Sequence, residues 1–180
     1  MKFFPSRLLL KALTALRMPW EEKIWLALLF PLSGLARAAL LFMPFRRVAP
    51  YLGRHHGNVP LSPLATPGQI RLASRIGSVS ALAARFTPWK SRCLVQAIMV
   101  KTLLRHYGIP HVIYLGVVKP TGPASVGADR AGAGRPPAMK AHAWVAVGPK
   151  VVAGRDGHHA FTIVSTFASP ASLCGLPVGT

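Results

Sequence analysis

The stretch SRCLVQAIMVKTLLRHYGIPHVIYLGVVK, residues 91–119, decides the fold. Its first half is apolar at almost every helical position from Leu94 to Leu104 and holds neither Gly nor Pro. It ends on Lys101, Arg105 and His106 before Gly108 and Pro110, which predicts a buried helix with a basic last turn and a glycine stop. Past Pro110 the period changes from 3.6 to 2. β-branched and aromatic residues alternate through HVIYLGVVK (111–119), KAHAWVAV (140–147), KVVAG (150–154) and FTIVSTF (161–167). One long apolar helix followed by short strands predicts an α+β domain, and the connections favour antiparallel pairing.

Upstream of this stretch, Thr66-Pro67 reads as an N-cap and first-turn proline opening a helix to about Arg85. Ile70, Ala73, Ile76 and Ala84 would face inward, and Arg71, Arg75 and Arg85 outward. Residues 1 to about 60 read as helical, with Pro19 in a first turn, Glu21 and Glu22 near a positive helix end, and Pro31 as a kink. RHHGNVPLSP (54–63) reads as a linker, and residues 120–139 as a long Gly/Pro/Ala-rich loop. The expected organisation is an N-terminal helical region (1–60), a core (61–170) and a C-terminal tail (171–180).

Composition narrows the function. With 22 Lys and Arg against 4 Asp and Glu the net charge is +18, yet 51% of the chain is hydrophobic and 14% charged, which excludes a disordered basic tail. The four acids are Glu21, Glu22, Asp129 and Asp156, too few and too scattered for paired-carboxylate catalysis or a carboxylate metal site. Cys93 and Cys174 form no Cys-x-x-Cys pair. His55-His56 and His158-His159 are loop pairs without further ligands, so neither metal nor cofactor is expected. The apolar N-terminus lacks a small-residue cleavage site, and the span Ile24 to Met43 is interrupted by Pro31, Ser33, Gly34 and Arg37. The expected location is the reducing cytoplasm, and the basic rims of these helices suit peripheral contact with anionic lipid or an acidic partner.

Cys93 falls on the first turn of its helix, with Ser91 as cap and Arg92 beside it, where the helix dipole and a cation favour thiolate. A free cysteine is more often just a small core hydrophobe, so the position alone does not make Cys93 a nucleophile. The strands supply the partners. If Gly148-Pro149-Lys150 is a three-residue loop, Val147 faces Val151 and His142 stands opposite Asp156, close enough for the carboxylate to hold the imidazole. Cys93, His142 and Asp156 then give nucleophile, base and orienter of a thiol acyl-transfer site. A Cys–His dyad oriented by a backbone carbonyl or amide is the alternative. Trp89 and Trp144 would line the cleft or serve as packing aromatics.

The runs W-K-S-R-C-L-V-Q-A (89–97), L-L-R-H-Y-G-I-P (103–110), Y-L-G-V (114–117), A-H-A-W-V-A-V (141–147) and T-I-V-S-T-F (162–167) resemble the B2 proteins of lasso peptide biosynthesis. Those proteins belong to the transglutaminase-like, papain-related superfamily. LARAALLFMPFRRVAPYLG (35–53) is similar to the helical N-terminal part of that family. The resemblance implies a papain/transglutaminase-like core behind an N-terminal helical subdomain. It also implies a cysteine protease that removes the leader from a ribosomally made precursor peptide. Such an enzyme works with a separate leader-binding B1 protein (a RiPP recognition element) and an ATP-dependent lasso cyclase. Cys93 would be its nucleophile and His142 its base. The acid is expected about a dozen residues after the histidine, where this chain has Gly154, and Ala146 replaces the acid common after the H-A-W-V motif. The alternatives are another thiol acyltransferase or amidase of the same fold and, in a different class, a basic membrane- or nucleic-acid-binding protein. No RNA-recognition or helix-turn-helix signature supports a nucleic-acid partner.

Overall fold

The computed structural model describes residues 18–87, 93–118 and 139–170. Among them are four α-helices, α1 (Trp20–Phe42), α2 (Phe45–Leu52), α3 (Pro67–Phe86) and α4 (Cys93–His106). Five strands, β1 (Arg54–His55), β2 (Val112–Val118), β3 (Lys140–Val147), β4 (Lys150–Ala153) and β5 (Thr162–Ala168), pair antiparallel in the order β1-β5-β2-β3-β4. The α+β architecture is the one the periods predict. Ser91, Arg92, Trp89, Asp129, Cys174 and most of the 120–139 loop lie outside the described residues.

α4 is the centre of the molecule. It packs on β3 and β4 on one side and on α1 and α3 on the other, which explains why its apolar residues run almost all round. Val95, Ala97, Met99, Val100 and Leu104 are fully buried. Truncating Met99 or Leu104 to Ala would cost about 2–5 kcal/mol in transfer and cavity energy. The helix ends as its sequence predicts. Gly108 takes φ +61°, and the Ile109 and Gly108 amides bond back to the Leu104 and Arg105 carbonyls at 2.9 and 3.1 Å.

α3 starts with a reciprocal capping box, in which the Gln69 amide donates to Thr66 Oγ1 at 3.3 Å and the Thr66 amide to Gln69 Oε1 at 2.9 Å. Halfway along, Gly77 lets α3 press against β4. A Cβ there would stand 2.1 Å from the Val152 carbonyl oxygen, closer than any side chain allows.

Two expectations need correction. The stretch beginning at Arg54 is no simple linker, because Arg54 and His55 pair with Ala168 and Phe167 as β1. A two-residue strand leaves no period to read. The β3–β4 hairpin closes on two residues, Gly148 and Pro149, and not three, so Val147 pairs with Lys150. Gly148 supplies the positive φ, +55°, that a two-residue turn needs. A bulge between Val145 and Ala146 then shifts the ladder so that Val145 pairs with Ala153, and the pairing ends there.

Candidate active site

The N-terminus of α4, the middle of α3, the start of β3 and the segment leaving β4 enclose a cleft of about 490 Å³. Cys93, His142 and Asp156 all line it. Cys93 is the first residue of α4 and half-buried, its side chain resting on the helix–sheet core. The first amides of a helix have no partner within it, so backbone N–H groups are available beside the sulfur.

His142 is the third residue of β3 and faces Gly116 across the β2 ladder. Its ring lies beside Trp144, centroids 6.0 Å apart and planes 24° off parallel, and beside Phe161 at 5.0 Å. Trp144 is buried and stacks in turn on Tyr114 at 5.5 Å, and the Tyr114 hydroxyl donates to the Leu61 carbonyl. Trp144 is therefore a packing aromatic that holds the His142 ring. The strand alternation that brings residues 142 and 144 to one face is the cause.

The orienting contact comes from the main chain. His142 Nε2 lies 2.8 Å from the Gly154 carbonyl oxygen. A carbonyl only accepts, so Nε2 carries a proton, and of the two neutral tautomers the contact selects the one with its lone pair on Nδ1, the form a general base needs. Gly154 holds this position at φ +68°, and a Cβ there would meet the Ala143 carbonyl oxygen at 2.3 Å and Trp144 Cα at 3.0 Å. Only glycine fits.

Asp156 is exposed on the cleft wall, and its carboxylate makes no hydrogen bond or ion pair with a described residue. The expected pairing opposite His142 is not formed. The bulge brings Val145 opposite Ala153, the register a three-residue loop would also give, but the β3–β4 ladder stops there, and the turn at Gly154 delivers a carbonyl to the imidazole where a continued ladder would have brought Asp156. Glu21 and Glu22 do not line the cleft and bind Arg75 at 3.3 and 2.9 Å.

Two features escaped the sequence reading. Gln96 lines the cleft one turn beyond Cys93 and is the sole polar residue within L-V-Q-A-I-M-V, a signal that was available. Ser74 and Ser78 line it from α3, their hydroxyls tied to the Ile70 and Ser74 carbonyls at 2.7 and 3.0 Å. The Gly154 carbonyl has no side-chain signature at all.

The family model for the transglutaminase-like superfamily matches residues 39–166, from the end of α1 through most of β5, and so takes in Cys93, His142, Gly154 and Asp156. No curated protein and no solved structure matches the chain. Enzymes of this fold usually work through a Cys-His-Asp set, which supports thiol-based chemistry of the cysteine-protease or acyltransferase type. With more than two thirds of its length matched, the chain belongs to the transglutaminase-like superfamily.

Proposed function

We propose that the protein is a cysteine endopeptidase that removes the leader from a lasso-peptide precursor, with Cys93 as nucleophile and His142 as base. The observation that carries the chemistry is the shared cleft: a helix-start thiol and an imidazole whose tautomer the Gly154 carbonyl fixes. What supports leader removal in particular is the likeness of the runs around Cys93 and His142 to the lasso leader peptidases.

In this reading His142 Nδ1 takes the Cys93 proton, and the thiolate attacks the scissile carbonyl carbon. The backbone N–H of Cys93 donates to the developing oxyanion. The imidazolium then protonates the leaving amine as the C–N bond breaks, leaving an acyl thioester. His142 next deprotonates water, which attacks the thioester, and the thiol is regenerated. The Gly154 carbonyl accepts from Nε2–H throughout and stabilises the ring when it is charged. Asp156, on the cleft wall, would meet substrate and not the imidazole. A separate leader-binding protein would present the precursor in the cytoplasm.

The test is cleavage of the precursor peptide by the purified chain with and without its leader-binding protein, followed by mass spectrometry. Wild type is expected to yield leader and core, and Cys93→Ala to yield neither while keeping its fold. Undiminished cleavage by folded Cys93→Ala would end the proposal. An amide formed with an added amine, with no hydrolysis, would convert it to amine transfer on the same scaffold.

A further inference from the structure

At the other end of α4 lies a second, basic site. The helix from Cys93 to His106 is 14 residues long, so this end is about 20 Å from the cleft at the rise of an α-helix. Two hollows meet there. One, of about 540 Å³, is lined by Tyr51, Arg54, Lys101, Arg105 and His111 among others. The next, of about 440 Å³, is walled by apolar residues such as Leu35, Met43, Val48 and Ile98, and shares Tyr51, Lys101 and Arg105 with the first. Its lining leaves large apolar side chains bare, with Leu35 68%, Met43 39% and Tyr51 71% exposed.

No carboxylate among the described residues answers the cations at the junction. Of the three described acids, Glu21 and Glu22 hold Arg75, and Asp156 lines the catalytic cleft. Arg105 sits in the last turn of α4, where the helix dipole accounts for a cation, but Lys101 lies a turn earlier and Arg54 comes from β1. Lys101 is held below the usual lysine range by burial first and by Arg105 second. A half-buried lysine beside a second cation is a cost that a bound anion removes.

We propose that this paired hollow is a docking groove for a polypeptide segment that presents apolar side chains around one Asp or Glu carboxylate. The carboxylate bridges Lys101 and Arg105, and apolar neighbours fill the chamber walled by Leu35, Val48 and Ile98. The shape favours a peptide over a lipid surface. The cations lie where two concave chambers meet, whereas a membrane face sets them around a flat apolar patch. The inference does not depend on the leader-peptidase reading, because its readout is binding.

The experiment selects a phage-displayed random peptide library on the immobilised full chain carrying Cys93→Ala, which prevents cleavage. Enriched peptides should share an acidic residue flanked by Leu, Ile or Phe. Arg105 is exposed, so Arg105→Glu should fold normally and weaken those peptides about tenfold or more, the loss expected for an opposed charge at a desolvated contact. Replacing the acidic residue of the peptide by Lys should restore binding to Arg105→Glu. Absence of enrichment, a consensus without an acid, or indifference to Arg105→Glu would each overturn the proposal. So would Arg105-dependent sedimentation with phosphatidylglycerol vesicles and not with phosphatidylcholine alone, which would assign the groove to lipid.

Discussion

His142 donates its Nε2 proton to the carbonyl of Gly154, twelve residues further along the chain, at 2.8 Å. That is the spacing at which the resemblance leads one to expect a carboxylate. Main chain has taken the place of an acid. The exchange keeps orientation and tautomer but gives up a full negative charge beside the imidazolium, so less of the stabilisation comes from electrostatics.

The first prediction separates these roles. Asp156→Asn should keep kcat/KM within about tenfold of wild type, because its carboxylate does not hold the base, whereas loss of an orienting carboxylate costs about 10⁴. Gly154→Ala should lose far more. Its Cβ would meet the Ala143 carbonyl at 2.3 Å, so the turn must shift and carry its own carbonyl away from His142. Precursor cleavage rates of the two variants decide the matter. A crippled Asp156→Asn beside an active Gly154→Ala would restore the carboxylate as orienter.

A second prediction concerns the wall of the cleft. Gly77 lets α3 lie against β4, and Gly77 itself lines the site. Gly77→Ala must push the helix from the Val152 carbonyl, which should cost about 1–3 kcal/mol in urea unfolding. It should also raise KM more than it lowers kcat, because the wall moves and the Cys93–His142 pair does not. Unchanged stability would mean that α3 is free to slide on the sheet.

Much of this was legible in the residues. The change of period after Pro110, the Gly108 stop and the Thr66-Pro67 cap are local signals, and each appears where the chain announces it. Cys93 and His142 were readable for the same reason: one marks a helix start, the other alternates with Trp144. The orienter was readable only as one of two alternatives, the Asp156 carboxylate or a backbone group. Which orienter forms is decided by where the ladder ends: the bulge offsets the shorter hairpin loop and restores the expected register at Val145 and Ala153, but the strand stops there and the chain turns at Gly154. A backbone carbonyl also carries no side-chain identity, although a glycine in place of an expected acid was a trace of it. Gly77 and Arg54 belong to the same class, because tertiary contacts alone give them meaning.

A third prediction tests the entry to α3. Thr66→Ala removes the acceptor for the Gln69 amide and should cost about 1 kcal/mol. Thr66→Ser should restore most of it, and thermal unfolding of the two variants checks this. Equal melting temperatures for Thr66→Ala and wild type would mean that solvent satisfies the exposed helix end as well as the hydroxyl does.

The last prediction follows from His111, which begins the approach to β2 and is 1% exposed. Its Nδ1–H donates to the Ile109 carbonyl at 2.8 Å, yet burial dominates and lowers its pKa from 6.5 to about 4, with Lys101 and Arg105 adding to the effect. The folded state thus prefers the neutral ring. Above pH 6.5 the ring is neutral in both states and stability does not depend on it. As pH falls from 6.5 toward 4, the unfolded chain binds a proton that the folded chain refuses, and stability declines by up to about 3 kcal/mol. Urea unfolding across that window should show the decline in wild type. His111→Gln, which can still donate to Ile109 but does not titrate, should be less stable at neutral pH and show a shallower slope below it. Equal slopes for the two proteins would mean that His111 is protonated in the folded state and that another group governs acid unfolding.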